Sequence, residues 1–126
     1  MPQTILIVED HTDTRDALAK LLEYSGYQVV TAEDGQQGFE QACAQSPDLI
    51  LADIFMPVMD GIEMIKQLRA RPDCGKTPIL VLSGYGNKAL EAARAGATDV
   101  MGKPVDPSFL LETIKSLILI DESVQG

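Results

Sequence analysis

Acidic, hydroxyl and basic side chains recur in this chain directly after short apolar runs. Glu9-Asp10 follow Ile5-Leu6-Ile7-Val8, and Asp53 closes Leu49-Ile50-Leu51-Ala52. Ser83-Gly84 follow Ile79-Leu80-Val81-Leu82, and Lys103-Pro104 come just after the run from Thr98 to Met101. A charge at the end of a buried run is costly unless a metal, a partner or chemistry holds it there. Three carboxylates gathered at one place repel one another. A hard divalent cation such as Mg²⁺ relieves that repulsion, because it favours oxygen ligands and keeps several waters. A carboxylate oxygen beside it can attack a phosphoryl group and form an acyl phosphate. The transferred group then needs its equatorial oxygens neutralised. Metal can take one and Lys103 another as a point charge, leaving the third to the Ser83 hydroxyl and the Gly84 N–H.

Taken singly, each group has a plainer reading. Glu9-Asp10 can be an ordinary strand-to-helix turn, with Thr12 or Asp13 capping the helix. Ser83-Gly84 alone is a turn, and Lys103 alone is a solvated lysine. Met56, Met59 and Met64 read as packing residues, and His11 reads as an exposed loop histidine.

The elements that must position these groups are legible in the hydropathy pattern. Five short aliphatic runs, Ile5–Val8, Gln28–Ala32, Leu49–Ala52, Ile79–Leu82 and Thr98–Met101, alternate with helical segments. Three of the runs are apolar without alternation, which is the pattern of central strands covered on both faces. Ala17, Leu18, Leu21 and Leu22 form a helical stripe stopped by Gly26. Phe39, Ala42 and Cys43 follow the Asp34-Gly35 turn, and Ile62, Ile65 and Leu68 follow Asp60 as N-cap. Ala89, Leu90 and Ala93 make a thin fourth stripe ended by Gly96. Leu110, Leu111, Ile114, Leu117 and Ile118 follow Asp106 as N-cap with Pro107 in the first turn. Such β-α alternation predicts an α/β fold, a doubly wound parallel sheet with helices on both faces. In that architecture function gathers beyond the carboxyl ends of the strands. Only the second run ends without chemistry, at Ala32-Glu33, as an edge strand remote from the site would. Residues 1–120 read as one domain and 121–126 as a polar tail.

Composition narrows the partners. The chain has 126 residues, enough for one core, and a formal net charge of -9. Direct nucleic-acid binding needs a basic footprint, and anionic membrane surfaces need one too; both are disfavoured. No apolar stretch approaches the ~20 residues of a membrane span. Nothing at Met-Pro-Gln-Thr resembles a secretion signal. Cys43 falls in register with Phe39 and Ala42 as a core residue, and Cys74 reads as a loop thiol. The cytoplasm is the expected compartment.

The ordered set from Thr4 to Ile118 resembles a response-regulator receiver domain, the phosphoacceptor module of two-component signalling. The residues that carry the resemblance are Glu9-Asp10, Asp53-x-x-Met-Pro-x-Met-Asp-Gly, Leu82-Ser83-Gly84, and Gly96-Ala97 followed by Lys103-Pro104. It implies a flavodoxin-like five-stranded sheet of order 2-1-3-4-5 and Asp53 as the phosphorylated residue. It also implies Mg²⁺ held by Asp10, Asp53 and the Phe55 carbonyl, with Glu9 acting through water, and a cis Lys103-Pro104 bond. The donor would be a histidine kinase or a histidine phosphotransfer protein, and the product a phosphorylated form with altered affinity for a downstream protein. The domain would not turn over like an enzyme beyond self-phosphorylation and slow autodephosphorylation. There are two departures from the family pattern. Val100 stands three before Lys103, where the family commonly has Tyr or Phe whose ring reports phosphorylation. Phe55 and Tyr85 stand two residues beyond Asp53 and Ser83, where the resemblance places them beside the phosphoryl group, obstructing an in-line water.

Other classes remain open on the sequence alone. Mg²⁺-dependent phosphatases with an aspartyl nucleophile resemble this site, but carry a second Asp two residues on, where this chain has Phe55. A phosphorylation-independent interaction module is the third reading, and the complete set of Glu9, Asp10, Asp53, Ser83 and Lys103 argues against it.

Overall fold

Aliphatic strands and capped helices alternate through the computed structural model, which describes residues 2–84 and 86–125. In chain order the elements are β1 (Thr4–Val8), α1 (Thr12–Tyr24), β2 (Gln28–Ala32), α2 (Gly35–Gln45), β3 (Leu49–Asp53) and α3 (Gly61–Arg69). They continue with β4 (Ile79–Ser83), α4 (Gly86–Ala95), β5 (Asp99–Gly102) and α5 (Pro107–Gln125). The strands form one parallel sheet in the order β2-β1-β3-β4-β5, as the resemblance implies. β1 lies between its neighbours in matched register, Ile5 to Val8 opposite Val29 to Ala32 on one side and Leu49 to Ala52 on the other.

Successive residues of a strand point to opposite faces, and both faces of this sheet are buried. Leu6, Val8, Ile50, Ala52, Ile79 and Val81 meet Ala42 of α2, Met64, Ile65 and Leu68 of α3, and Ala92 of α4. Ile5, Ile7, Leu49, Leu51, Leu80 and Leu82 meet Leu22 of α1 and Leu110, Ile114 and Ile118 of α5. Each of the leucine, isoleucine, valine and methionine side chains contributes about 1.5–3 kcal/mol when fully buried, so the sheet is fixed from both sides.

The helix starts follow capping chemistry. The side chains of Asp34 and Asp60 accept from the N–H groups of Gln37 and Glu63, each at 2.8 Å. Asp106 caps α5 by accepting from Phe109 N–H at 2.9 Å. α1 differs from expectation: its N-cap is His11, which accepts from Thr14 N–H through Nδ1 at 3.3 Å, not Thr12 or Asp13. Gly26 and Gly96 follow α1 and α4 at φ of 100° and 122°, where a side chain would be strained.

Three further expectations are corrected. α4 turns Ala92 inward and leaves Leu90 56% exposed, because a helix of mostly small apolar residues gives the pattern little contrast. α5 continues through residues 121–125, since that stretch holds no glycine or proline to stop it. Cys43 and Cys74 are not independent thiols. They are joined as a disulfide with Cα atoms 5.4 Å apart, because α2 and the segment after α3 lie side by side. The cysteines are therefore no guide to a reducing compartment. Among the described residues no helix is long and apolar enough to cross a membrane.

Candidate functional site

Parallel pairing brings the ends of β1, β3, β4 and β5 to one edge of the sheet, and the chemistry-bearing residues with them. Asp53 is the last residue of β3, and its side chain is only 13% exposed. Its Oδ1 accepts from the N–H of Ile54 at 2.8 Å and lies 3.2 Å from Lys103 Nζ. Lys103 follows β5 directly; its N–H donates to the Ser83 carbonyl at 2.9 Å, which fixes the β4 and β5 ends together. Lys103 Nζ also lies 3.8 Å from Glu9 Oε1. The Lys103-Pro104 bond is cis, as expected.

Glu9, Asp10 and Asp53 present carboxylate oxygens that all lie within 4.8 Å of one another. Glu9 is buried, and burial first of all pushes its carboxyl above the ordinary glutamate value of 4.5. The negative charge of Asp53 and a hydrogen bond with Asp10 push the same way, while the His11 N–H and the Lys103 ammonium pull it back. The His11 N–H donates to Glu9 Oε2 at 3.2 Å. An all-oxygen, crowded carboxylate set fits a hard divalent cation, for which Mg²⁺ is the suited ion. Asp53 and Asp10 would hold it, with Glu9 behind them.

Ser83 is buried at the end of β4, and Gly84 is exposed beside it. Phe55 is 48% exposed in the loop after Asp53. Val100 is partly buried and pairs with Val81 in the β4–β5 register. Tyr85 lies outside the described residues.

Two structural supports carry no obvious chemical signature in the sequence. Arg15 donates from Nη1 to the Glu9 carbonyl at 3.0 Å, and its Nη2 lies 3.7 Å from Glu33 Oε1. It thereby ties the acidic turn to the end of β2, which the sequence placed away from the site. Its only signal is its place in the first turns of the helix after Glu9-Asp10. The second support is close packing against the loop after Asp53. The N–H of Gly35 donates to the Met59 carbonyl at 2.9 Å, and that of Gly61 to the Ile54 carbonyl at 2.8 Å.

Three carboxylates and an ammonium thus meet at one place, and the end of β4 brings Ser83 to the same edge of the sheet. This arrangement is suited to accepting a transferred phosphoryl group on a carboxylate.

The fold and the acidic cluster have counterparts in known proteins. Residues 5–115 match the family model described as the response regulator receiver domain. Response regulator MprA of Mycolicibacterium vanbaalenii is 35% identical over 120 residues, which cover 94% of this chain and 51% of that protein. The chain thus spans about half the length of the curated relatives it matches. Chemotaxis response regulator CheY4 of Vibrio cholerae superposes with a TM-score of 0.86 at 34% identity, covering 93% of this chain and 99% of that one. The receiver domain of sensor histidine kinase PA1611 from Pseudomonas aeruginosa PAO1 gives a TM-score of 0.86 at 30% identity, covering 94% and 98%. That structure holds a magnesium ion coordinated in its active site cleft.

Proposed function

The chain belongs to the response regulator receiver domain family, and from that premise we propose that Asp53 accepts a phosphoryl group from a phosphohistidine donor. The donor is a histidine kinase or a histidine phosphotransfer protein, and phosphorylation switches affinity for a downstream protein. The observation that carries this reading is the Lys103 ammonium 3.2 Å from Asp53 Oδ1, beside the carboxylate cluster of Glu9, Asp10 and Asp53.

An Asp53 carboxylate oxygen forms the new bond to phosphorus as the histidine nitrogen leaves, giving an acyl phosphate and a free imidazole. Lys103 moves from pairing with Asp53 to pairing with a phosphoryl oxygen, and the Ser83 hydroxyl and Gly84 N–H bind another. Asp10, Asp53 and the Phe55 carbonyl, with Glu9 acting through water, would hold Mg²⁺, which would neutralise charge on a phosphoryl oxygen. The product hydrolyses slowly, because Phe55, in the loop after Asp53, obstructs an in-line water and has no hydrogen-bonding group to orient it, and the family resemblance gives Tyr85 a place beside it. The switch is a population shift between two conformations. With Val100 in place of a ring, its readout at β5 is muted.

Phosphotransfer from a small acyl phosphate tests the assignment. We expect one phosphoryl group added in Mg²⁺, and none after chelation or in Asp53→Asn. Labelling that survives Asp53→Asn overturns it, and so does turnover of a phosphate monoester, which is phosphatase behaviour. For the access claim, Phe55→Asn and Tyr85→Ala should each shorten the phosphoryl half-life. Amide shifts with beryllofluoride should move little around Val100; a large rearrangement there refutes the muted readout.

A further inference from the structure

We propose that Cys43 and Cys74 are a reversible redox link, opened by thiol reductants and closed by a disulfide oxidant such as glutathione disulfide. The proposal is independent of phosphoryl transfer to Asp53. Cys43 lies in the last turn of α2, and Cys74 lies between α3 and β4, with 31 residues of sequence separation. Their Cα atoms are 5.4 Å apart, in the middle of the range that a disulfide spans.

Two features make the link reversible rather than a condition of folding. The sheet is filled on both faces by aliphatic side chains that owe nothing to the bridge. A free Cys74 would pack as a small apolar residue in the same cluster as Ala42 and Leu68. The bridge also borders solvent-filled space. Cys43 is only partly buried, and Cys74 lines a cavity of about 340 Å³ with Ser46, Asp73 and Lys76. Asp48 and Pro78, at the starts of β3 and β4, border the same cavity, so it lies at the opposite end of the sheet from Asp53. The thiol chemistry and the carboxylate chemistry do not compete.

The link has a mechanical consequence. α2 is already fastened at its start, where Gly35 N–H donates to the Met59 carbonyl in the loop after Asp53. A bond from Cys43 to Cys74 fastens the other end of α2 to the segment that leaves α3. Closure thus ties the two helices at both ends of their contact.

The exchange balances through a mixed disulfide. The thiolate of one cysteine attacks glutathione disulfide and releases one glutathione. The second cysteine then displaces the other, so two protein thiols and one glutathione disulfide become one protein disulfide and two glutathiones.

The test is equilibration of the whole chain in glutathione buffers of graded ratio, followed by alkylation, peptide mapping and thermal unfolding. We expect both alkylation sites to be lost together, within a single chain, and regained with dithiothreitol. The oxidised form should melt on the order of 10 °C higher, the effect of closing a loop of this length in a domain of this size. Its amides in α2 and residues 70–78 should exchange more slowly. Cys43→Ala and Cys74→Ser should each remove the melting shift and leave the other thiol alkylatable or glutathionylated. Native protein that stays doubly alkylated in oxidising buffer overturns the proposal. A bridge that native protein does not surrender to dithiothreitol overturns its reversibility, and equal melting of the two forms overturns its mechanical consequence.

Discussion

Replacing Gly61 by alanine should damage stability and phosphoryl acceptance together, because this glycine rests on the backbone of Asp53 itself. A Cβ built at Gly61 would land on the main-chain oxygen of Asp53, 3.1 Å from the Ile54 Cα and 3.2 Å from the Asp53 carbonyl carbon. None of these atoms belongs to a side chain that can swing away. Either α3 or the end of β3 must give. The Gly61 N–H also donates to the Ile54 carbonyl at 2.8 Å, so the two segments cannot part without losing that bond. Overpacking of this kind costs about 1–3 kcal/mol, and a backbone obstacle with a hydrogen bond at stake belongs at the upper end. In a domain of this size that lowers the melting temperature by roughly 10 °C. The Asp53 carboxylate is displaced with its backbone, and a misplacement of about 1 Å costs on the order of 100-fold in rate. Thermal unfolding, together with the rate of labelling by a small acyl phosphate at a temperature where both proteins are folded, measures the two effects. Wild-type melting and wild-type labelling in Gly61→Ala would show that the contact is relieved without moving Asp53, and would refute the reasoning.

Val58 sits at a φ of 68° in the same loop, with its side chain 83% exposed. Backbone strain there is worth about 1–3 kcal/mol, so Val58→Gly should raise the unfolding free energy by a net ~1 kcal/mol after the entropy cost of glycine, read as a higher urea midpoint; a lowered midpoint would contradict this. Burial holds the Glu9 carboxyl above 4.5, so the folded apo protein binds that proton more tightly than the unfolded chain and loses stability as pH rises from about 4.5 through the raised value. Glu9→Gln should remove that fall, leave apo protein more stable at neutral pH and weaken Mg²⁺ binding. A difference from wild type that does not change with pH would count against burial as the cause. Arg69 donates to the carbonyls of Gly96, Gly75 and Thr77 at 2.9, 2.8 and 2.7 Å. Arg69→Ala should cost about 3 kcal/mol by denaturant unfolding and speed exchange across residues 70–78, whereas a loss below about 1 kcal/mol would mean that water replaces the guanidinium.

The strands were legible because buried parallel strands are written as unbroken aliphatic runs, as in Ile5–Val8 and Ile79–Leu82. The site was legible because those strands end in the residues that do chemistry. The strand order was not in the pattern. Alternation demands parallel crossovers, but only the resemblance indicated that β1 would sit between β2 and β3. Side-by-side packing of helices was less visible still. Cys43 and Cys74 meet because α2 and α3 share one face of the sheet, and no local period announces that. His11 beat Thr12 and Asp13 to the cap because the turn after Glu9 puts its Nδ1 against Thr14 N–H. Capping preference ranks residue types, but it does not choose the turn.

Where the phosphoryl charge leads is decided by what Ser83 and Lys103 are attached to. The Lys103 N–H is bonded to the Ser83 carbonyl, so the ends of β4 and β5 move as a unit. Two residues back from Ser83, Val81 is fully buried and pairs with Val100. Both lie on the face where Ala92 is the fully buried residue among the described side chains of α4. An aromatic residue at position 100 could trade an outward for an inward ring and so report on the site without moving the backbone. Valine has one stiff torsion and no such alternative. For the proposed switch, a displacement of Ser83 toward a phosphoryl oxygen must therefore pass through aliphatic packing to α4 as a shift of the helix. Ala92 offers that helix a shallow hold, so the proposed shift is small, in keeping with amide shifts that move little around Val100.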